Sequence, residues 1–93
     1  MQAGGSVKEN LYHEIILSIM RRERQAYWQR SLGIYQHRMP TFRIRKFFND
    51  ESVIELNGNE MRRAMIELCK QGYVIKHEDS RIGQAYWQLT EKE

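Results

Sequence analysis

The stretch that decides the fold is Asn57 to Thr90, NGNEMRRAMIELCKQGYVIKHEDSRIGQAYWQLT, which reads as a capped amphipathic helix, a glycine stop and a two-stranded hairpin. Asn57 with Glu60 three residues on has the spacing of a capping box, in which each side chain satisfies a free amide at the helix start. The helix is therefore predicted to begin near Gly58. Met61, Ala64, Met65 and Leu68 recur at i, i+3, i+4 and i+7 and form one apolar stripe. Gly72 supplies a left-handed C-terminal stop, and Tyr73, Val74 and Ile75 follow as a strand-like run. Further on, Ala85, Trp87 and Leu89 alternate with Tyr86, Gln88 and Thr90, so one edge can close a core while the other faces outward. Asp79, Ser80, Arg81, Ile82 and Gly83 form a polar tip with a glycine able to take positive φ.

At about 100° per residue, the side of this helix opposite Met61 carries Asn59, Arg63, Ile66 and Lys70, with Arg62 on the shoulder. These residue types read base edges in a major groove: arginine pairs with guanine, asparagine with adenine, and an aliphatic side chain meets the thymine methyl. The plainer alternative is that any surface helix must show water a polar face. Glu60 needs only its capping role.

The chain of 93 residues is the size of one domain with a modest core, and its 41% hydrophobic and 29% charged content is that of an ordinary soluble protein. No apolar run approaches the roughly 20 residues that span a bilayer, and MQAGGS has no apolar leader. The expectation is a cytoplasmic protein without a membrane partner. The single cysteine, Cys69, falls beside the apolar stripe and reads as a small core residue in a reducing compartment. The net charge of +3 is unevenly spread: between Arg21 and Lys46 eight basic side chains face one acid, Glu23, a local net of +7. A concentrated basic segment attracts polyanions, most commonly nucleic acid, although it can equally be a solvated surface.

Met1 to Gly5 reads as a disordered lead-in, residues 6 to 90 as one domain and residues 91 to 93 as a tail. Ser6 and Glu9 repeat the capping-box spacing and open a helix to about Arg22, with Leu11, Tyr12, Ile15, Ile16, Ile19 and Met20 on its apolar side. Leu17 lies off that stripe and is left for a partner. From Glu23 to Arg38 the periodicity permits either an extension of the helix up to Gly33 or a separate short helix and loop. The pentapeptide QAYWQ occurs at Gln25 to Gln29 and again at Gln84 to Gln88, helix-like once and strand-like once, without repeating flanks. Arg38 to Pro40 reads as a short strand, because the residue before proline is pushed out of the helical region. Thr41 is then a cap for a helix to Asn49, with Ile44, Phe47 and Phe48 inward and Arg43 and Lys46 outward. Phe42 and Ile44 alternate in a strand-compatible way too, and so does Ser52 to Leu56.

From Ser6 to Thr90 this order resembles the winged helix-turn-helix superfamily. The first helix, MPTFRIRKFFN, NGNEMRRAMIELCKQ, the junction LCKQGYVIK and the hairpin ending YWQLT carry the resemblance. It implies an α+β fold, a three-helix core with a C-terminal two-stranded β wing. It also implies double-stranded DNA as partner, the third helix in the major groove, the second across the backbone and the wing on flanking DNA. By position, Asn59, Arg62, Arg63, Ile66 and Lys70 would face the groove, Arg43 and Lys46 the backbone, and Arg81 would be the wing contact. The link from Asn49 to Asn57 is longer than the tight turn usual between the two helices, and Glu78 and Asp79 flank Arg81 with negative charge.

The histidines, His13, His37 and His77, are far apart and with one cysteine give no zinc spacing. No phosphate-cradling glycine loop, nucleophile elbow or acid pair is present. The sequence thus points to no catalytic residue, no metal, no cofactor and no small-molecule ligand. The leading expectation is a small transcriptional regulator of bacterial, phage or mobile-element type. The competing one is a winged-helix protein-interaction or assembly module that does not read DNA. A homodimer is expected through the first helix and the segment Tyr27 to Tyr35, with Leu17, Tyr27, Trp28 and Tyr35 as candidate contacts.

Overall fold

A computed structural model describes residues 6–31, 38–77, 80 and 84–90; the side chains of residues 6–10 and 31 are outside the description. The elements run α1 (Ser6–Ser31), β1 (Met39–Pro40), α2 (Thr41–Glu51), α3 (Gly58–Lys70), β2 (Val74–Lys76) and β3 (Tyr86–Leu89). The described fold is a small α+β arrangement of three helices and a three-stranded antiparallel sheet.

α3 begins at Gly58 as its capping box requires. The Asn57 side chain accepts from the Glu60 amide at 2.8 Å, and the Glu60 carboxylate accepts from the Asn57 amide at 2.9 Å. Met61, Ala64, Met65 and Leu68 are all buried, and each of the larger three adds roughly 1.5–3 kcal/mol of transfer free energy. The helix stops at Gly72, where φ is 89°. There the Tyr73 amide donates to the Leu68 carbonyl and the Gly72 amide to the Cys69 carbonyl, both at 3.0 Å. This is the Schellman pattern, and it satisfies two terminal carbonyls of the helix. Cys69 is half-buried and packs against the core.

β3 is the central strand. It pairs with β2 through Val74↔Leu89 and Lys76↔Trp87, and with β1 through Met39↔Trp87 and Pro40↔Tyr86. The hairpin is therefore not a two-stranded unit, because Met39–Pro40 joins it as a third, edge strand. An edge position tolerates Pro40, which has no amide to donate. Trp87 and Leu89 point into the core, which also takes Met39, Ile44, Phe48, Leu56, Val74 and the α3 stripe. Beyond Lys76, Ser80 closes the hairpin from the side: its hydroxyl accepts from the Tyr86 amide at 2.9 Å and donates to the Tyr86 carbonyl at 3.3 Å.

Several local expectations change. Of the two readings open beyond Arg22, the extension is the one observed, and α1 continues nine residues to Ser31. Among its described side chains the buried ones all fall between His13 and Met20, and beyond them Glu23, Arg24, Ala26 and Tyr27 are half-buried. Leu17 is only 6% exposed and belongs to the core; Leu11, assigned to the apolar side, is 46% exposed. Thr41 does not cap α2. Pro40 occupies the cap position without a side-chain bond, and the Thr41 hydroxyl instead accepts from the Trp87 indole and donates to the Ala85 carbonyl. α2 runs to Glu51, two residues past Asn49, with Ile44 and Phe48 buried and Phe47 half-buried. The two copies of QAYWQ do take different structures, the first inside α1 and the second largely in β3.

The long link between α2 and α3 is held by Asn49. Its side-chain amide donates to the Leu56 carbonyl at 3.1 Å and its oxygen accepts from the Leu56 amide at 2.9 Å. Ser52 adds a local turn by accepting from the Ile54 amide at 3.0 Å. Among the described residues, no helix is long and apolar enough to cross a membrane.

Candidate nucleic-acid interface

The outer face of α3 follows from the burial of its inner one. With Met61, Ala64, Met65 and Leu68 inward, Asn59, Arg62, Arg63, Ile66 and Lys70 are exposed. Among the described residues, none of the four polar ones makes an ion pair or hydrogen bond through its side chain. Arginine and lysine heads held this way are hydrated and available to an anionic partner.

α3 stands as a ridge between two open grooves, with Ile66 on its crest touching both. The groove on the Arg62 side has a volume of about 590 Å³ and is framed by the start of α2, the face of α3 and the sheet. Arg45, Arg62 and Lys76 line it, together with Phe42 and Ser80, and no acid is among its described lining residues. Three cations around a concave surface, with no carboxylate among the described lining residues, favour an anionic partner there. The groove on the Arg63 side, about 470 Å³, lies between α1 and α3. It mixes Arg63 and Lys70 with Glu60 and Glu67, so its field is closer to neutral.

No family model matches the chain, and no curated protein and no solved structure matches it.

α2 distributes its basic residues to both sides. Arg43 leaves the α3 surface and turns to α1, where its guanidinium lies 3.9 Å from the Glu23 carboxylate and 5.5 Å from the centre of the Phe47 ring. Arg22 approaches the same ring at 5.5 Å and forms a two-pronged pair with Glu51, at 2.8 and 2.6 Å. This cluster stitches α1 to the end of α2. The Arg22 hydrogen bonds hold the Glu51 carboxyl below its ordinary range, and the same bonds raise Arg22. Lys46 is exposed on the outward side of α2. Arg45, not singled out from the sequence, is the α2 cation that shares a groove with Arg62. Arg81, together with Glu78 and Asp79, lies outside the described residues.

The aromatic segment divides similarly. Trp28 is 57% exposed and Tyr27 half-buried on the second half of α1, while Tyr35 lies outside the described residues. Arg38, before β1, sits 5.7 Å above the Tyr86 ring. Among the described residues no group of three histidine, cysteine or acidic side chains gathers as a metal site.

Proposed function

We propose that this chain is a winged helix-turn-helix protein that binds double-stranded DNA, with α3 in the major groove, and acts as a small transcriptional regulator of bacterial, phage or mobile-element type. The observation that carries the reading is the outer face of α3. Asn59, Arg62, Arg63, Ile66 and Lys70 are exposed, and the four polar side chains among them are unengaged within the described residues. Those are the side chains suited to base edges and phosphates. The element order and the strand β1 paired to the hairpin are compatible with a winged helix, in which such a helix is the part presented to DNA.

In this reading Asn59, Arg63 and Ile66 face base edges. Arg62, Arg45 and Lys76 reach the flanking phosphates from the groove beside α3, and Lys46 adds a backbone contact. Arg43 contributes little, because Glu23 and Phe47 already occupy it. The protein acts by occupying a site and has no catalytic step.

The deciding experiment is duplex binding over a salt series. Release of counterions makes log K fall linearly with log salt, by about 0.9 per phosphate neutralised. Four or five contacts give a slope near −4, so a rise from 50 to 200 mM salt weakens binding by roughly two orders of magnitude. A flat response, or no binding to any duplex at low salt, removes the DNA reading. It would leave a protein-interaction module, which the exposed Trp28 of α1 favours.

A further inference from the structure

Six large apolar side chains among the described residues are exposed: Leu11, Trp28, Phe42, Val53, Ile66 and Ile75. Single exposed hydrophobics are ordinary, but two of these line one concave surface. Phe42, 59% exposed at the second position of α2, and Ile66, 41% exposed in the middle of α3, both line the groove that holds Arg45, Arg62 and Lys76. The fold does not need Phe42 there. Ile44 and Phe48 supply the buried face of α2, Phe47 is taken by the two guanidiniums, and Phe42 lies opposite them on the helical wheel.

Two exposed apolar side chains in a groove with three cations and no acid among its described lining residues ask for a partner that is anionic overall yet carries an apolar spot. Duplex DNA has one such spot on its major-groove edge, the C5 methyl of thymine. Resting on the DNA-binding reading above, we propose that Phe42 and Ile66 together recognise thymine methyl groups. The preference thus comes from two elements, the start of α2 and the centre of α3, rather than from α3 alone. Arg45, Arg62 and Lys76 supply the surrounding phosphate contacts and hold the base-pair edge against the apolar pair. Phe42 is in this scheme a specificity-determining residue.

The test uses the whole chain. A preferred duplex is selected from a random pool, and each thymine in it is then replaced in turn by uracil, which lacks only the 5-methyl group. Binding is measured at fixed salt for the natural protein, Phe42→Ala and Ile66→Ala. Since both side chains are exposed, the variants keep the fold, checked by circular dichroism. The expected result is that one or two uracil positions weaken the natural protein about fourfold each, the equivalent of returning one methyl-sized group to water. In each variant at least one of those positions loses its effect. Thymine methyls that have no influence anywhere, or the same uracil profile in all three proteins, overturn the proposal while duplex binding itself stands. Selection that recovers no preferred sequence does likewise, leaving sequence-independent binding. Tighter binding to the single strand than to the duplex assigns Phe42 to base stacking instead and also overturns it. No duplex binding at low salt removes both this inference and the reading it rests on.

Discussion

The indole nitrogen of Trp87 donates to the hydroxyl of Thr41 at 2.8 Å, and through this bond the central strand holds the first turn of α2 in place. The Thr41 hydroxyl in turn donates a hydrogen bond to the Ala85 carbonyl at 3.3 Å, and the Thr41 amide donates to the same carbonyl at 3.1 Å. Trp87 is only 3% exposed, so its N–H has little access to water if Thr41 is lost. The position of α2 sets where Phe42, Arg45 and Lys46 stand relative to α3, which makes this a structural bond with consequences for the proposed interface.

Thr41→Val keeps the shape and removes the acceptor. The stranded indole N–H and the lost bond to Ala85 should lower stability by about 1–3 kcal/mol. Thr41→Ser, which retains the hydroxyl, should fall by less than half as much. Urea midpoints for the three proteins decide this, and equal midpoints for serine and valine would show that the hydroxyl does not matter.

The parts of this arrangement legible in the sequence are those written locally. Asn57 with Glu60, the stripe from Met61 to Leu68, and Gly72 are each specified within one or two turns of chain, so α3 and its outer face followed directly. Beyond Arg22 the sequence is ambiguous because none of the described α1 side chains there is buried to impose a period. The Asn49 clamp on Leu56 spans seven residues and belongs to no repeating pattern, so the sequence shows the length of the link but not the bonds that hold it. Arg43 and Arg45 sit on opposite shoulders of α2, about 200° apart. Which shoulder meets α3 is settled by how α2 packs, through Ile44 and Phe48, and that is tertiary information. The same packing places Phe42 and Ile66 on one groove.

The Arg22–Glu51 pair should show as a small, pH-dependent contribution. Its carboxyl is held lower in the folded chain than in the unfolded one. The stabilisation is therefore present above the unfolded value, about 4.3, and is lost as pH falls through the folded value. Both side chains are more than a third exposed, so screening limits the effect to about 1 kcal/mol or less at low salt. Glu51→Gln should unfold at a slightly lower urea concentration than the natural protein at pH 7. The two should converge at pH 2 and in high salt. A difference that persists at pH 2 would assign the loss to packing rather than charge.

Reading and positioning can be separated on α3 and α2. Arg63→Ala should weaken the preferred duplex by about 1–3 kcal/mol and relax the choice of base at one position, whereas Lys46→Ala should weaken every sequence nearly equally and reduce the salt slope by about 1. Equal losses on preferred and random DNA for both variants would mean that Arg63 touches only phosphate. Arg43→Ala provides the internal comparison: with its side chain held by Glu23 and Phe47, it should alter binding less than Lys46→Ala.

The expected homodimer is tested at the second half of α1. Among the described side chains this half contributes no buried one after Met20, yet it carries Trp28 at 57% exposure and Tyr27 half-buried. Helical apolar surface of this kind is commonly covered in a symmetric dimer, which also presents two reading helices to paired half-sites. Leu17 is no longer a candidate contact, because the core of the same chain buries it. The expected outcome is a dimer in sedimentation that Trp28→Ala converts toward the 11.3 kDa monomer. Because Trp28 is exposed in the folded chain, that variant should keep its helical signal and lose stability only as far as the dimer is lost, so its urea midpoint should no longer depend on protein concentration. An 11.3 kDa species for the natural protein at high concentration would rule out a stable free dimer. If Trp28→Ala instead unfolds the chain, Trp28 supports α1 itself and any interface lies elsewhere.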